Sequence, residues 1–312
     1  MNRLNYYYNR FKIYFRQKYF LKSSRYLGRP SSFPFLSGDT YRSIADIIIE
    51  TAEQLELFEK LIYNYKNIKC AVYISGNLIE SSELLFTETI IRLQKTSSKL
   101  NINLILHDYD KKINSNIINI LSDLFNEIFL INYTETGKNI INIPIGLENF
   151  YYNRGGISEY YQDYKNDKYL KEIKKNNMIF AAFNIFTNYQ ERSQLKLLIE
   201  SSGYKFSGAS LPTEIYINNI KNSYFTLSPE GNGSDCHRTW EAIYLDCIPV
   251  IKKNVISDEL SSSLPILVVE KWEDFLFKSE EELMCIYRSI ISRNPYKAYA
   301  PYWMDAIRKI HD

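Results

Sequence analysis

The 312-residue chain has only four cysteines, and no stretch of about 20 apolar residues appears in it. Without such a stretch no segment can span a bilayer, and the N-terminus lacks the continuous apolar core of a signal peptide. Cys70, Cys236, Cys247 and Cys285 stand far apart, and none belongs to a Cys-x-x-Cys pair. That spacing argues for a reducing cytosol and against a zinc ribbon. Cys236, His237 and Cys247 lie close in sequence, but a fourth ligand is not apparent, so no metal is expected. Acidic residues are absent from the first 38 positions, and the net charge of +2 gives no general case for nucleic-acid binding.

What those 38 residues do contain is eight Lys/Arg and eleven Phe/Tyr, which leaves 30 basic and 36 acidic residues in the remainder. Leu4, Tyr7, Tyr8, Phe11, Phe15 and Tyr19 recur at helical spacing between Arg3, Arg10, Lys12, Arg16 and Lys18. A helix lying on an anionic membrane surface has this pattern. A helix packed on its own domain with a solvated basic face has it too. Nucleic acid is the weaker partner because the body is acidic.

Beyond the arm, short apolar runs alternate with amphipathic stretches, as in a parallel α/β sheet. Helices are expected over 41–52 and 53–66, the first capped by Asp39 or Thr40. Strands are expected at 69–75, 103–106, 127–132 and 140–144, with helices over 80–96 and 115–125. The polar stretch 158–177, after Gly155-Gly156, reads as an interdomain connection. The pattern restarts with a strand at 178–183 and a helix over 188–201, opened by the capping-box spacing Thr187-Asn-Tyr-Gln190. A short strand at 204–207, a helix over 213–222, a strand at 266–269 and helices over 280–292 and 299–310 follow.

The most informative block runs from Tyr224 to Ile251. A strand to Leu227 is broken by Pro229, Gly231 and Gly233 into a loop whose backbone can approach a ligand. Ser234 or Asp235 then caps a helix reaching about Leu245, and Cys247–Ile251 is the next strand. Backbone N–H groups at a helix N-terminus suit an anion. Arg238 and Glu241, three apart, share a helix face. A cation for phosphate and a carboxylate for ribose hydroxyls suit a nucleotide.

The run Ser228-Pro-Glu-Gly-Asn-Gly233 with Asp235-Cys-His-Arg-Thr-Trp-Glu-Ala242 resembles the donor-binding segment of exostosin-like glycosyltransferases. Phe33–Thr40, Ile143–Asn149 and Phe183–Asn188 with Arg192 resemble further segments of the bacterial members, so the likeness covers roughly residues 33–275. A departure is Asp246, where a Gly commonly precedes the Cys-Ile-Pro strand. Asp can still take a left-handed helix end. The resemblance implies an α/β, GT-B-type fold, two Rossmann-like domains facing a central cleft. The expected divisions are an arm (1–38), an acceptor-side domain (39–165), a nucleotide-sugar domain (166–298) and a helix crossing back (299–312).

It also implies roles. Glu241 would accept bonds from ribose hydroxyls, the alternative being an intrahelical pair with Arg238. Arg192 and Arg238 would neutralise a departing diphosphate, the alternative being solvated surface arginines. His237 would donate to a phosphate oxygen or the sugar, the alternative being a packed core histidine, and Glu230 and Asn232 would bind donor sugar hydroxyls or hold the loop. Asn188, Ser228, Gly231, Gly233 and Asp235 complete the expected donor site. The family is regarded as inverting, and inversion needs a base. Asp39, His107 and Asp110 are the candidates, from an N-terminal half that also offers Asp108 and Glu148. Asp108-Tyr-Asp110 has Asp-x-Asp spacing but lies in the acceptor half, so transfer is expected to be metal-independent, with no cofactor besides the nucleotide sugar.

The expectation is therefore a cytoplasmic glycosyltransferase, peripheral on the inner face of the cytoplasmic membrane through residues 1–30. It would pass a sugar from a UDP-linked donor to a glycan or lipid-linked acceptor of lipopolysaccharide or capsule type. A retaining transferase, and a non-catalytic nucleotide- or glycan-binding protein on the same scaffold, are the alternatives.

Overall fold

A computed structural model describes residues 29–64, 69–96, 99–109, 113–133, 137–152, 157–166 and 174–309. Two wholly parallel sheets organise it. The first contains β1 (Ile47–Ile49), β2 (Cys70–Ser75), β3 (Ile102–His107), β4 (Glu127–Leu130) and β5 (Ile140–Asn142), side by side in chain order. The second contains β6 (Asn177–Phe180), β7 (Ser223–Leu227), β8 (Ile248–Lys252) and β9 (Leu267–Val269), again in chain order. This is the α/β, two-sheet GT-B-type arrangement that the resemblance implies.

Strand order dictates where the helices go. Successive right-handed crossovers stepping in one direction leave their helices on one face. Accordingly, helices Ala52–Asn64, Glu83–Thr96 and Ser115–Leu124 pack side by side on the first sheet. Every residue of β2 and β3 is buried, so the opposite face must be covered as well. It is covered from both ends of the described chain, by helix Gly38–Ile44 just before β1 and by the distant helix Ala300–Arg308, which pack on each other and on β2. Ala300, Trp303 and Ile307 belong to the same apolar core as β2, β3 and β4.

The second sheet divides its side chains by strand alternation. Phe180 and Ala182 face Ile217, Ile220, Trp240 and Tyr244 of helices Thr213–Lys221 and His237–Tyr244. Ile179, Ala181, Phe225, Leu227 and Val250 face Leu195, Phe275 and Leu283 of the helices on the other side. Helix Ser158–Asn166 lies within the stretch expected to be a connection, and it buries Tyr161 and Tyr164 in the core containing Trp240.

Several local expectations differ. Residues 41–66 hold the ends of two helices, Gly38–Ile44 and Ala52–Asn64, but these do not abut, because β1 intervenes, pairing Ile47–Ile49 with Val72–Ile74. The stretch 80–96 is two helices, Gly76–Ser81 and Glu83–Thr96. Ser37, not Asp39 or Thr40, caps helix Gly38–Ile44, its hydroxyl accepting from Thr40 N at 3.1 Å. The capping box at Thr187 does not form. A 3-10 turn, Ile185–Asn188, is capped by Asn184, and helix Tyr189–Ser201 follows without a side-chain cap. Neither Ser234 nor Asp235 caps helix His237–Tyr244, whose N-cap position is Cys236. Asp246 does take the left-handed conformation, with φ of 53°. Among the described residues, no helix is long and apolar enough to cross a membrane. Residues 1–28 of the basic arm lie outside those described.

Candidate functional site

The carboxyl ends of the two sheets face one cavity of about 1120 Å³. In parallel α/β sheets a ligand crevice forms at that edge. From the first half come Asn77 after β2, His107–Tyr109 at the end of β3, Asn132 after β4, and Ile145, Glu148 and Asn149 after β5. From the second half come Phe183 and Asn184 after β6, the loop 208–213 with Tyr216, the glycine loop Gly231–Gly233, and the first turns of helix His237–Tyr244.

The glycine loop is held from behind by Arg192. Its Nε donates to the Glu230 carbonyl (2.7 Å) and one Nη to the Pro229 carbonyl (2.8 Å) and, more weakly, to Cys236 Sγ (3.8 Å). The other Nη donates to the Asn184 carbonyl (2.7 Å) and to Thr187 Oγ1 (2.6 Å). A guanidinium has five N–H donors, and all five are accounted for. Arg192 lines the cavity, yet nothing remains on it for a diphosphate unless the loop lets go. A Cβ on Gly233 would lie 2.4 Å from Asn132 Nδ2, so a larger residue there would push aside the side chain whose Oδ1 accepts from Asp235 N.

Arg238 and Glu241 both reach the cavity wall, and Tyr216 joins them. The Tyr216 hydroxyl donates to Glu241 Oε2 at 2.7 Å, and the nearby Arg238 opposes the rise that burial gives the Tyr216 pKa. Burial raises the Glu241 carboxyl above its usual range, against the pull of Tyr216 and Arg238. The Arg238 side chain lies over the Phe183 ring, 5.8 Å from its centroid, and its Nε is buried with no hydrogen-bond partner. A buried N–H without an acceptor costs free energy until one arrives. Tyr216 carries no motif of its own; only its place on the helix before β7 puts it behind Glu241.

His237 points across the cleft. Its Nδ1–H donates to the Gly146 carbonyl at 2.7 Å, and Nε2 sits 3.6 Å from Glu148 Oε1. Burial lowers the imidazole pKa, but Glu148 and the Gly146 carbonyl outweigh it, so the net shift is upward. Asp235 is structural. Its Oδ2 accepts from Ile145 N (2.9 Å), both oxygens accept from Trp240 Nε1 (2.9 Å), and its own N–H donates to Asn132 Oδ1 (2.7 Å). Burial pushes its carboxyl up to about 6.

Other expected residues are elsewhere. Ser228 Oγ pairs with Thr239 Oγ1 (2.9 Å) in the interior. Glu230 turns away from the cavity to accept from Asn254 Nδ2 (2.8 Å). Asn188 Nδ2 contacts Glu191 and the Glu230 carbonyl. None of these three lines the cavity, whereas Gly231, Asn232 and Gly233 do.

Among the candidate bases, Asp39 is buried off the cavity wall. Its carboxylate takes Arg29 Nε at 3.0 Å and Phe150 N at 3.0 Å, and burial raises it to about 6 despite Arg29. His107 lines the cavity with both ring nitrogens engaged, Nε2 with the Ile145 carbonyl (3.2 Å) and Nδ1 with Asp108 N (2.8 Å). Asp110 lies outside the described residues. Asp108 is bonded by Tyr73 (2.7 Å) and Asn149 (2.7 Å). Burial pushes its carboxyl up, but His107, Tyr73 and Arg29 outweigh that and hold it well below the usual range. Among the described residues, no group of three His, Cys, Asp or Glu is placed to hold a metal ion.

No protein-family model and no curated protein matches this sequence. Solved structures do. An α1,3-fucosyltransferase aligns over 85% of this chain and 92% of its own, at 10% identity and a TM-score of 0.44. An α1,3-fucosyltransferase with GDP aligns over 86% and 94%, at 10% identity and 0.38. Anabaena HepE in complex with UDP-glucose aligns over 82% and 78%, at 9% identity and 0.33.

Proposed function

We propose that this chain is a glycosyltransferase that uses a nucleoside-diphosphate sugar, UDP-linked in the first instance, and transfers the sugar to a glycan hydroxyl with inversion and without a metal. The diphosphate would sit at the glycine loop Gly231–Gly233 and the first turn of helix His237–Tyr244, where backbone N–H groups and Arg238 meet it. Glu241 would accept from the ribose hydroxyls. The observation that carries this reading is the Arg238–Tyr216–Glu241 set on the cavity wall, with the Arg238 Nε buried and unpaired. An anionic oxygen supplies the missing acceptor, and a preorganised cation stabilises the charge that develops as the diphosphate leaves. The basic aromatic arm supports a place beside an anionic membrane surface, with a lipid-linked acceptor.

Thermal shift and calorimetry with UDP, GDP, CDP and CMP, each with and without EDTA, test the reading. One diphosphate should raise the melting temperature equally in both conditions. Glu241→Ala should weaken that nucleotide about tenfold or more without lowering the unliganded melting temperature. A shift that vanishes with EDTA would remove metal independence, and no shift with any nucleotide would remove the donor site.

A further inference from the structure

Direct displacement at an anomeric carbon needs a group to accept the proton of the incoming hydroxyl. The geometry leaves two of the three candidates from the sequence without that role, since Asp39 is off the cavity and His107 has both nitrogens engaged; Asp110 lies outside the described residues. Of the other cavity carboxylates, Asp108 and Asp235 have their oxygens committed to neighbours, Glu241 takes the Tyr216 hydroxyl, and Glu80, on the cavity wall in helix Gly76–Ser81, is the rival that a Glu80→Gln variant separates.

Glu148 differs from these. It lines the cavity from the first half, opposite the glycine loop, with 28% of its side chain accessible. Its Oε1 accepts only a long bond from the next backbone N–H (3.2 Å) and faces His237 Nε2 at 3.6 Å. His237 is adjacent in sequence to Arg238. The backbone on both sides of Glu148 is fixed. Leu147 N donates to the Leu36 carbonyl (2.6 Å), and the Asn149 amide bridges Asp108 Oδ1 (2.7 Å) and Asp39 N (2.9 Å). An accessible carboxylate on an immobilised backbone is what a general base requires.

Building on the transferase reading, we propose that Glu148 is the general base, with His237 as the positioning residue that holds it on the acceptor side of the cleft, across from the glycine loop. The acceptor O–H bond breaks, its proton goes to a Glu148 carboxylate oxygen, and the acceptor oxygen bonds the anomeric carbon. The bond from that carbon to the β-phosphate oxygen breaks, and its electron pair leaves with the nucleoside diphosphate, whose charge faces Arg238. Asp39, Asp108 and Asn149 then serve as the scaffold of Glu148.

The test uses the full chain, a panel of UDP- and GDP-hexoses as donors, and water and p-nitrophenyl glycosides as acceptors. Nucleoside-diphosphate release is measured for wild type, Glu148→Gln, Glu148→Ala and Glu80→Gln, with donor affinity measured by calorimetry. E148Q should keep the melting temperature and the donor Kd and lose about 10²- to 10⁴-fold in kcat. Formate, as an external base, should restore part of the turnover of Glu148→Ala. His237→Gln should lower kcat less than E148Q does, with donor Kd within a few-fold. Full turnover in E148Q, or a loss confined to Glu80→Gln, overturns the assignment while leaving the transferase reading intact. A wild type that binds no donor, or binds without turnover, overturns that reading and this proposal with it.

Discussion

Arg192 has all five of its donors on the glycine loop and its neighbours. Such a residue contributes to the stability of the unliganded protein, which a pure phosphate contact does not. Lysine cannot reproduce a planar fork. Arg192→Lys should therefore lower unfolding free energy by about 2–4 kcal/mol in urea titrations without nucleotide, because several buried carbonyls lose their donors. Unchanged stability with lost nucleotide binding would return Arg192 to the diphosphate. Tyr216 gives a prediction of opposite character. Tyr216→Phe keeps the ring beside Phe180 (centroids 5.7 Å apart) and removes only the hydroxyl. Stability should hold and UDP affinity should fall several-fold. Burial already raises the Glu241 carboxyl, and the Tyr216 hydroxyl opposes that rise, as do Arg238 and His237, whereas Glu148 adds to it. Its removal should move the acid limb of the binding–pH profile to higher pH. An unmoved limb would mean that ionised Glu241 is not what the ligand reads.

At the scale of elements, the buried runs were legible. β2, β3, β7 and β8 fall within a residue or two of expectation because continuous apolar stretches flanked by Gly, Pro or Asp leave few other choices. β1 was not legible, since three isoleucines between two helical stretches carry the same pattern as a helix and become a strand only by pairing with Val72–Ile74. Helix starts were misread for a related reason. Thr187 and Asp235 have capping chemistry, yet tertiary partners claim them first, Arg192 and Asn184 for the one, Ile145 and Trp240 for the other. The same competition divides the motif. Gly231, Gly233, His237, Arg238 and Glu241 reach the cavity, whereas Ser228 and Glu230, in the same run, turn to Thr239 and Asn254. Sequence proximity told which loop mattered but not which way each side chain points. Helix Ala300–Arg308 offers a test at this scale. Trp303→Ala removes a side chain that is 6% exposed, within the first core, and should cost about 3–5 kcal/mol in a denaturant titration. A cost under about 1 kcal/mol would show that the helix merely rests on the sheet.

Across the whole molecule, the two sheets are joined by polar ties at the cleft floor. Asp235 reaches Ile145 and Asn132, His237 reaches Gly146, and the Tyr244 hydroxyl accepts from Leu36 N (3.1 Å) and donates to the Ala298 carbonyl (2.6 Å). Two carboxyls near these ties, Asp39 and Asp235, are each raised by burial from 3.8 to about 6. Between those values the folded chain holds protons that the unfolded chain has released. The stability they contribute is complete below the unfolded pKa and lost as pH rises through about 6, roughly 3 kcal/mol per group. The urea midpoint should consequently be higher near pH 5 than near pH 7.5, and Asp235→Asn should shrink the difference. A midpoint that climbs across that interval in wild type would contradict the assignment.

One face of the first sheet is covered by helix Gly38–Ile44 and by residues 300–308, the latter separated from β5 by the whole second sheet. During synthesis the chain is released from its N-terminus, so the first half emerges with β2 and β3 still lacking Ala300, Trp303 and Ile307. It waits in that state while about half of the chain is still being made, with the part of the apolar sheet face that helix Gly38–Ile44 does not cover open to water and to other nascent chains. The protein thus owes its integrity to the order of its manufacture as well as to its contacts, and premature termination anywhere before residue 300 would yield a first half that is sticky rather than merely inactive.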